Sequence, residues 1–200
     1  MRVLSVIVLF TALILPYGHA SASPPNDISA EELTTLCQKG NAVACSNLGV
    51  MYSEGRGVTQ DSFKAVALYR KACDGQDKMG CSNLGAMYAE GRGVTQDSFK
   101  AVELYRKACD GQAAMGCGNL GLMYDKGEGV KQDSFKAVEL YRKACDGQAV
   151  EGCFNLGLMY DNGTGVRQSV EDALKFYGKA CDLKNERGCQ QYARLKTGKK

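Results

Sequence analysis

Histidine, paired vicinal cysteines, long apolar runs and net charge are all scarce in this 200-residue chain, and each scarcity excludes something. The single histidine, His19, lies in an N-terminal stretch that reads as removable, which leaves no imidazole downstream to act as base, proton shuttle or metal ligand. No C-x-x-C motif exists, which disfavours a thiol oxidoreductase. Beyond the first residues no apolar run approaches the ~20 residues that span a bilayer. A net charge of +3 is too small to argue for nucleic acid as partner. Lys196, Lys199 and Lys200 make a short basic tail that reads as a solvated terminus.

What is present starts with an address. Met1 and Arg2 precede an apolar run from Val3 to Leu15, then Pro16 and small residues through Ser23, the layout of a secretory signal peptide over residues 1–22. Cleavage fits after Ala20 or after Ala22; an uncleaved membrane anchor is the alternative, and the run is short for one. Ten cysteines behind such a leader imply an oxidising compartment and a disulfide framework, in a secreted or periplasmic protein.

The dominant feature is an internal repeat. "CSNLGVMYSEGRGVTQDSFKAVALYRKACDG" from Cys45 returns 36 residues later from Cys81, then more loosely from Cys117 and Cys153. Cys45, Leu48, Gly49 and Tyr52 share one helical face; the run breaks at Gly55 and Gly57, and Asp61 is placed to cap a second helix whose buried stripe is Ala65, Leu68, Tyr69 and Ala72. A glycine inside each first helix (Gly49, Gly85, Gly121, Gly157) costs roughly 1 kcal/mol against alanine, so a large side chain such as Tyr69 or Leu68 is expected over that notch. Four hairpins result, at about residues 41–76, 77–112, 113–148 and 149–184. A helix over 29–38, with Ser29 and Glu32 as a capping box, precedes them, and a more polar helix over 186–196 closes the stack.

The cysteines fall in pairs eight apart: Cys37 and Cys45, Cys73 and Cys81, Cys109 and Cys117, Cys145 and Cys153, Cys181 and Cys189. In an unbroken helix that spacing covers ~12 Å, too far for a disulfide, so a turn must intervene. Asp74-Gly75, Asp110-Gly111 and Asp146-Gly147 mark where the chain reverses. A rival pairing with the same period joins Cys45 to Cys73 within a hairpin and leaves Cys37 and Cys189 over. Zinc binding is disfavoured because zinc ligand pairs are usually two to four residues apart.

The motif A-x-x-x-L-G-x-x-Y-x-x-G-x-G-V followed by A-x-x-x-Y-x-K-A, carried here by Ala44 to Val58 and Ala65 to Ala72, resembles the Sel1-like repeat family, relatives of the tetratricopeptide repeats. The added cysteine pair is similar to that of the Helicobacter cysteine-rich proteins. The resemblance implies an all-α, right-handed α-solenoid with capping helices, and extends to exported proteins classed as penicillin-binding proteins and β-lactamases. A β-lactam small molecule is thereby a second candidate ligand. The residues do not supply its chemistry: no serine opens an S-x-x-K, Ser62-Phe63-Lys64 and its copies at Ser98 and Ser134 set the lysine one residue too close, and Lys196-Thr197-Gly198 spells K-T-G only at the chain end. Glu54, Glu90, Asp125 and Asp161 remain as carboxylates beside the glycine loops, and a solvated surface role suits them better than catalysis.

Variation between copies points to a binding surface. Positions Ser46/Ser82/Gly118/Phe154, Val50/Ala86/Leu122/Leu158 and Ser53/Ala89/Asp125/Asp161 share a face of the first helices, beside a ladder of Asn47, Asn83, Asn119 and Asn155. In tetratricopeptide-like stacks the first helices line the concave side. The ladder is then placed to bond the backbone of an extended protein or peptide partner, with Leu122, Phe154 and Leu158 as an apolar anchor. The alternative is that each amide bonds a loop carbonyl and holds the stack in register. No cofactor and no metal are expected.

Overall fold

The computed structural model describes residues 28–198, so the leader expected over residues 1–22 and the last two lysines lie outside the described residues. The described chain is helical throughout, without strands. α1 (Ala30–Gln38) precedes four hairpins: α2 (Ala42–Glu54) with α3 (Ser62–Asp74), α4 (Lys78–Glu90) with α5 (Ser98–Asp110), α6 (Ala114–Lys126) with α7 (Ser134–Asp146), and α8 (Val150–Asn162) with α9 (Val170–Asp182). α10 (Glu186–Thr197) closes the stack.

Local chemistry sets the helix ends. Asn41 Oδ1 accepts from the Ala44 N–H at 2.9 Å, Asp61 Oδ1 from Lys64 at 3.0 Å, and Ser29 Oγ from Glu32 at 3.2 Å, each filling an otherwise unsatisfied first-turn donor. The first helices stop on left-handed glycines, Gly55 and its three counterparts. Loop glutamines then fold back: the amides of Gln60, Gln96, Gln132 and Gln168 donate to the carbonyls of Ser53, Ala89, Asp125 and Asp161 at 2.6–2.8 Å.

Tyrosine, and not Leu68, fills the glycine notch. A methyl group added at Gly49 would stand 2.7 Å from the Tyr69 ring, and the same holds at Gly85 against Tyr105 and Gly157 against Tyr177. These rings are almost wholly buried. Leu68 turns the other way, into the packet shared by α1 and α2.

All five cysteine pairs are bridged at a separation of eight, with alpha carbons 4.4–4.7 Å apart, and no described cysteine is free. The rival Cys45–Cys73 pairing does not occur. Each bridge pins the end of one helix to the first turn of the next, worth about 2.5 kcal/mol for a loop of this size in the chain-entropy view. The reversal differs from its expected form. Gly75 keeps a negative φ, while Gln76, Gln112, Gln148 and Lys184 take the left-handed conformation. The glycine is there for room, because a Cβ on Gly75 would lie 2.8 Å from the Ala42 methyl of the preceding first helix.

The core is a string of packets along the stack, with no single centre. One packet joins Leu33, Cys45 and Leu48; the next joins Ala65, Val66, Tyr69, Leu84 and Met87 across a repeat boundary. Boundaries are also tied at the surface, where Arg70, Arg106 and Arg142 donate to the hydroxyls of Tyr88, Tyr124 and Tyr160 in the following repeat. Successive first helices touch (α2 with α4, α4 with α6, α6 with α8), whereas second helices have no comparable contact with one another. The stack therefore curves with its first helices on the inner side.

Candidate binding groove

Each first helix buries one face on its own second helix and another on the second helix of the preceding hairpin, which leaves a single stripe open to the inside of the curve. Its rungs are Val43, Asn47, Val50 and Glu54 in α2; Met79, Asn83, Ala86 and Glu90 in α4; Met115, Asn119, Leu122 and Lys126 in α6; and Glu151, Asn155, Leu158 and Asn162 in α8. This i, i+4, i+7, i+11 spacing is one helical face. The asparagine ladder thus lies on the open stripe. Among the described residues, nothing accepts a hydrogen bond from the side chains of Asn47, Asn83 or Asn119, and no loop carbonyl is bonded to Asn155, which sits by the buried Tyr141 hydroxyl.

Two expectations need correction. Phe154 is 4% exposed: its ring packs on Tyr177 at 5.7 Å between centroids and is covered by the Arg187 guanidinium at 4.4 Å. It belongs to the core of the closing end and offers no anchor to a ligand. Ser46 and Ser82 are buried in the same register, so position 46 lies off the open face, whereas position 50 lies on it and position 53 borders it, buried at Ser53 and half-buried at Ala89, Asp125 and Asp161. Variation at position 46 reflects different core volumes. Leu122 and Leu158 are half-buried at the groove wall, Leu158 packing against the C-terminal core.

The exposed apolar residues missed in the sequence are Val43, Met79 and Met115, at 57%, 41% and 48% exposure. They stand one turn before each asparagine, and extending the asparagine register back by four residues would have found them. With turn residues such as Gln76 and Gln112, Val43 and Met79 border a shallow depression of about 530 Å³. A second exposed row, Phe63, Phe99 and Phe135, lies at the starts of the second helices, away from the inner stripe.

Four phenols are buried between the helices. Burial raises the pKa of Tyr69, Tyr105, Tyr141 and Tyr177 above that of a free phenol; the charges of Glu90, Asp125 and Asp161 add to the effect at the last three. These hydroxyls stay protonated at neutral pH and can donate. The neighbouring carboxylates are mostly matched: Glu54 with Arg56 and Glu90 with Arg92, each at 2.6 Å, and Asp161 with Arg194. The first two pairs are solvated and contribute little stability. Among the described residues no cluster of histidine, cysteine or carboxylate is placed to hold a metal ion, and no helix is long and apolar enough to cross a membrane. Five disulfides suit an oxidising, extracytoplasmic environment.

Stacked helical hairpins with an open inner face define an α-solenoid of the kind that carries binding surfaces. The Sel1 repeat matches the chain four times, over residues 42–77, 78–112, 114–148 and 150–185, and the chain belongs to the Sel1 repeat family, whose members are typically protein-interaction scaffolds. Among solved structures it is similar to c5321, a protective antigen of uropathogenic Escherichia coli strains with an SLR fold (33% identity, TM-score 0.75, 82% of this chain and 35% of that one). It is also similar to a Sel1 repeat protein of Oxalobacter formigenes (26%, TM-score 0.77, 83% and 66%). A third is the cysteine-rich protein B of Helicobacter pylori (34%, TM-score 0.54, 68% and 98%). The chain thus spans about a third of the first protein's length and just under two thirds of the second's. Comparison with curated proteins brought no match.

Proposed function

We propose that this protein is an exported scaffold that binds an extended segment of a partner protein along its inner face. The observation that carries the reading is the ladder Asn47, Asn83 and Asn119, whose amides are not spent on internal hydrogen bonds while lying on an open stripe beside Val43, Met79 and Met115. A primary amide offers a donor pair and an acceptor, the complement of a peptide group. Repetition over the first three hairpins supplies one such clamp per repeat, independent of the ligand's side chains, while the apolar rungs select among them.

Selection of a displayed library of short random peptides on the disulfide-intact protein tests this. Recovered peptides should lose binding to a variant carrying Asn83→Ala and Asn119→Ala, and keep it on a variant carrying Glu103→Gln on the outer surface. Peptides indifferent to the asparagines would refute the groove. The β-lactam alternative draws on family resemblance and has no residue arrangement behind it. Turnover of a chromogenic cephalosporin that a groove substitution abolished would replace the binding reading.

A further inference from the structure

Of the four groove carboxylates, Asp125 is treated differently. Glu54, Glu90 and Asp161 each have an arginine, whereas among the described residues the Asp125 side chain makes no ion pair and no hydrogen bond; only its backbone carbonyl is engaged, by Gln132. Asp125 is also half-buried, so part of its hydration is lost with nothing from within the protein to offset it.

The next repeat shows what is missing. Asp161 holds the same register, and its side chain, only 17% exposed, receives Arg194 of α10 and the Tyr177 hydroxyl at 3.3 Å. Arg194 is held in turn by Gln191, whose Oε1 accepts from its Nε at 2.7 Å. α10 occupies the place of a further first helix. It therefore displays how a carboxylate in this register is answered: by a guanidinium reaching across from the adjoining position. One repeat earlier, the place of Arg194 is held by Leu158 and that of Tyr177 by Tyr141, a buried phenol likewise influenced by the neighbouring carboxylate. The Asp125 position thus has the carboxylate and the phenol without the cation.

We infer that Asp125 is the recognition point for an arginine side chain of the bound segment, seated against Leu122 and Leu158 as Arg194 is seated against Asp161. This rests on the groove reading above. Arginine fits better than lysine, because a planar fork serves a carboxylate through two hydrogen bonds and tolerates apolar neighbours with less loss of hydration.

The peptides recovered from the random library are the probe. They should share an arginine at one position. Asp125→Asn should weaken them about tenfold or more, exchange of that arginine for citrulline should do the same, and the two losses together should not add. Glu139→Gln, the same charge change on the outer surface, should leave affinity unaltered. Leu158→Arg, which supplies an internal guanidinium to Asp125, should also weaken binding. Peptides that need Asn83 and Asn119 yet bind Asp125→Asn undiminished would sink this assignment and leave the groove standing. Absence of any asparagine-dependent peptide would remove both.

Discussion

Two glycine-to-alanine substitutions in neighbouring first helices should act in opposite directions. In an isolated helix each would stabilise by about 0.8–1 kcal/mol, since alanine loses less backbone freedom than glycine. At Gly118 the new methyl meets the Ala144 methyl at 3.5 Å, an ordinary contact, so the helical gain survives. At Gly85 it stands 2.8 Å from two carbons of the Tyr105 ring. That ring is 4% exposed and cannot swing into solvent, so the helix pair must separate. Overpacking costs about 1–3 kcal/mol, and a ring with nowhere to move puts this case in the upper part of that range, about 2–3 kcal/mol, which outweighs the helical gain and leaves a net loss of about 1–2 kcal/mol. Equilibrium unfolding in guanidinium chloride, followed by circular dichroism with the disulfides intact, reads both. With a slope of about 4 kcal/mol/M, the midpoint should fall by about 0.3–0.5 M for Gly85→Ala and rise by about 0.2 M for Gly118→Ala. Equal shifts of the same sign would show that the notch glycines are not made necessary by the tyrosines.

Other outcomes follow from the same structure. Replacing Cys37 and Cys45 together by serine should raise amide hydrogen exchange in α1, which packs chiefly on α2, while α6 to α10 keep their protection; loss of protection throughout would contradict the repeat-by-repeat core. The buried phenols have raised pKa values, so the folded chain keeps protons that the unfolded chain releases above about pH 10, and stability must fall as pH rises through that region. Ultraviolet titration alongside circular dichroism should show Tyr69, Tyr105, Tyr141 and Tyr177 ionising only with unfolding; their ionisation while the helices stay folded would count against this. Asp97→Ala should destabilise the fold by removing the cap on α5. Its backbone hydrogen bond from Lys100, before its ion pair, holds the Asp97 carboxyl below the ordinary value of 3.8, so this contribution is present at neutral pH and lost as the pH falls below that value. A wild-type and variant difference that persisted at pH 2 would refute the capping account.

The hairpin count, the helix starts at Ser29 and Asp61, the notch and the family were legible in the chain itself because each is local or periodic. A 36-residue repeat imposes the same environment at every copy, so spacing alone reveals which positions pack. The pairing of Cys73 was narrowed by distance to two possibilities, Cys81 or Cys45, and the bend at Gln76 decided for Cys81. The groove was only half legible. Asn47 and its copies were found as identities, but variation at Ser46, Ser82 and Phe154 signalled differing core volumes where exposure was expected.

Sequence by itself determined the elements, their period and their cysteine register, since hydrophobic spacing, capping residues and turn chemistry act over a few residues. Tertiary structure decided which stripe stays open and which carboxylate stays unpaired. Both depend on the angle at which one hairpin meets the next. That angle emerges from packing across the hairpin boundary, of Ala65 and Val66 against Leu84 and Met87, which no local pattern encodes.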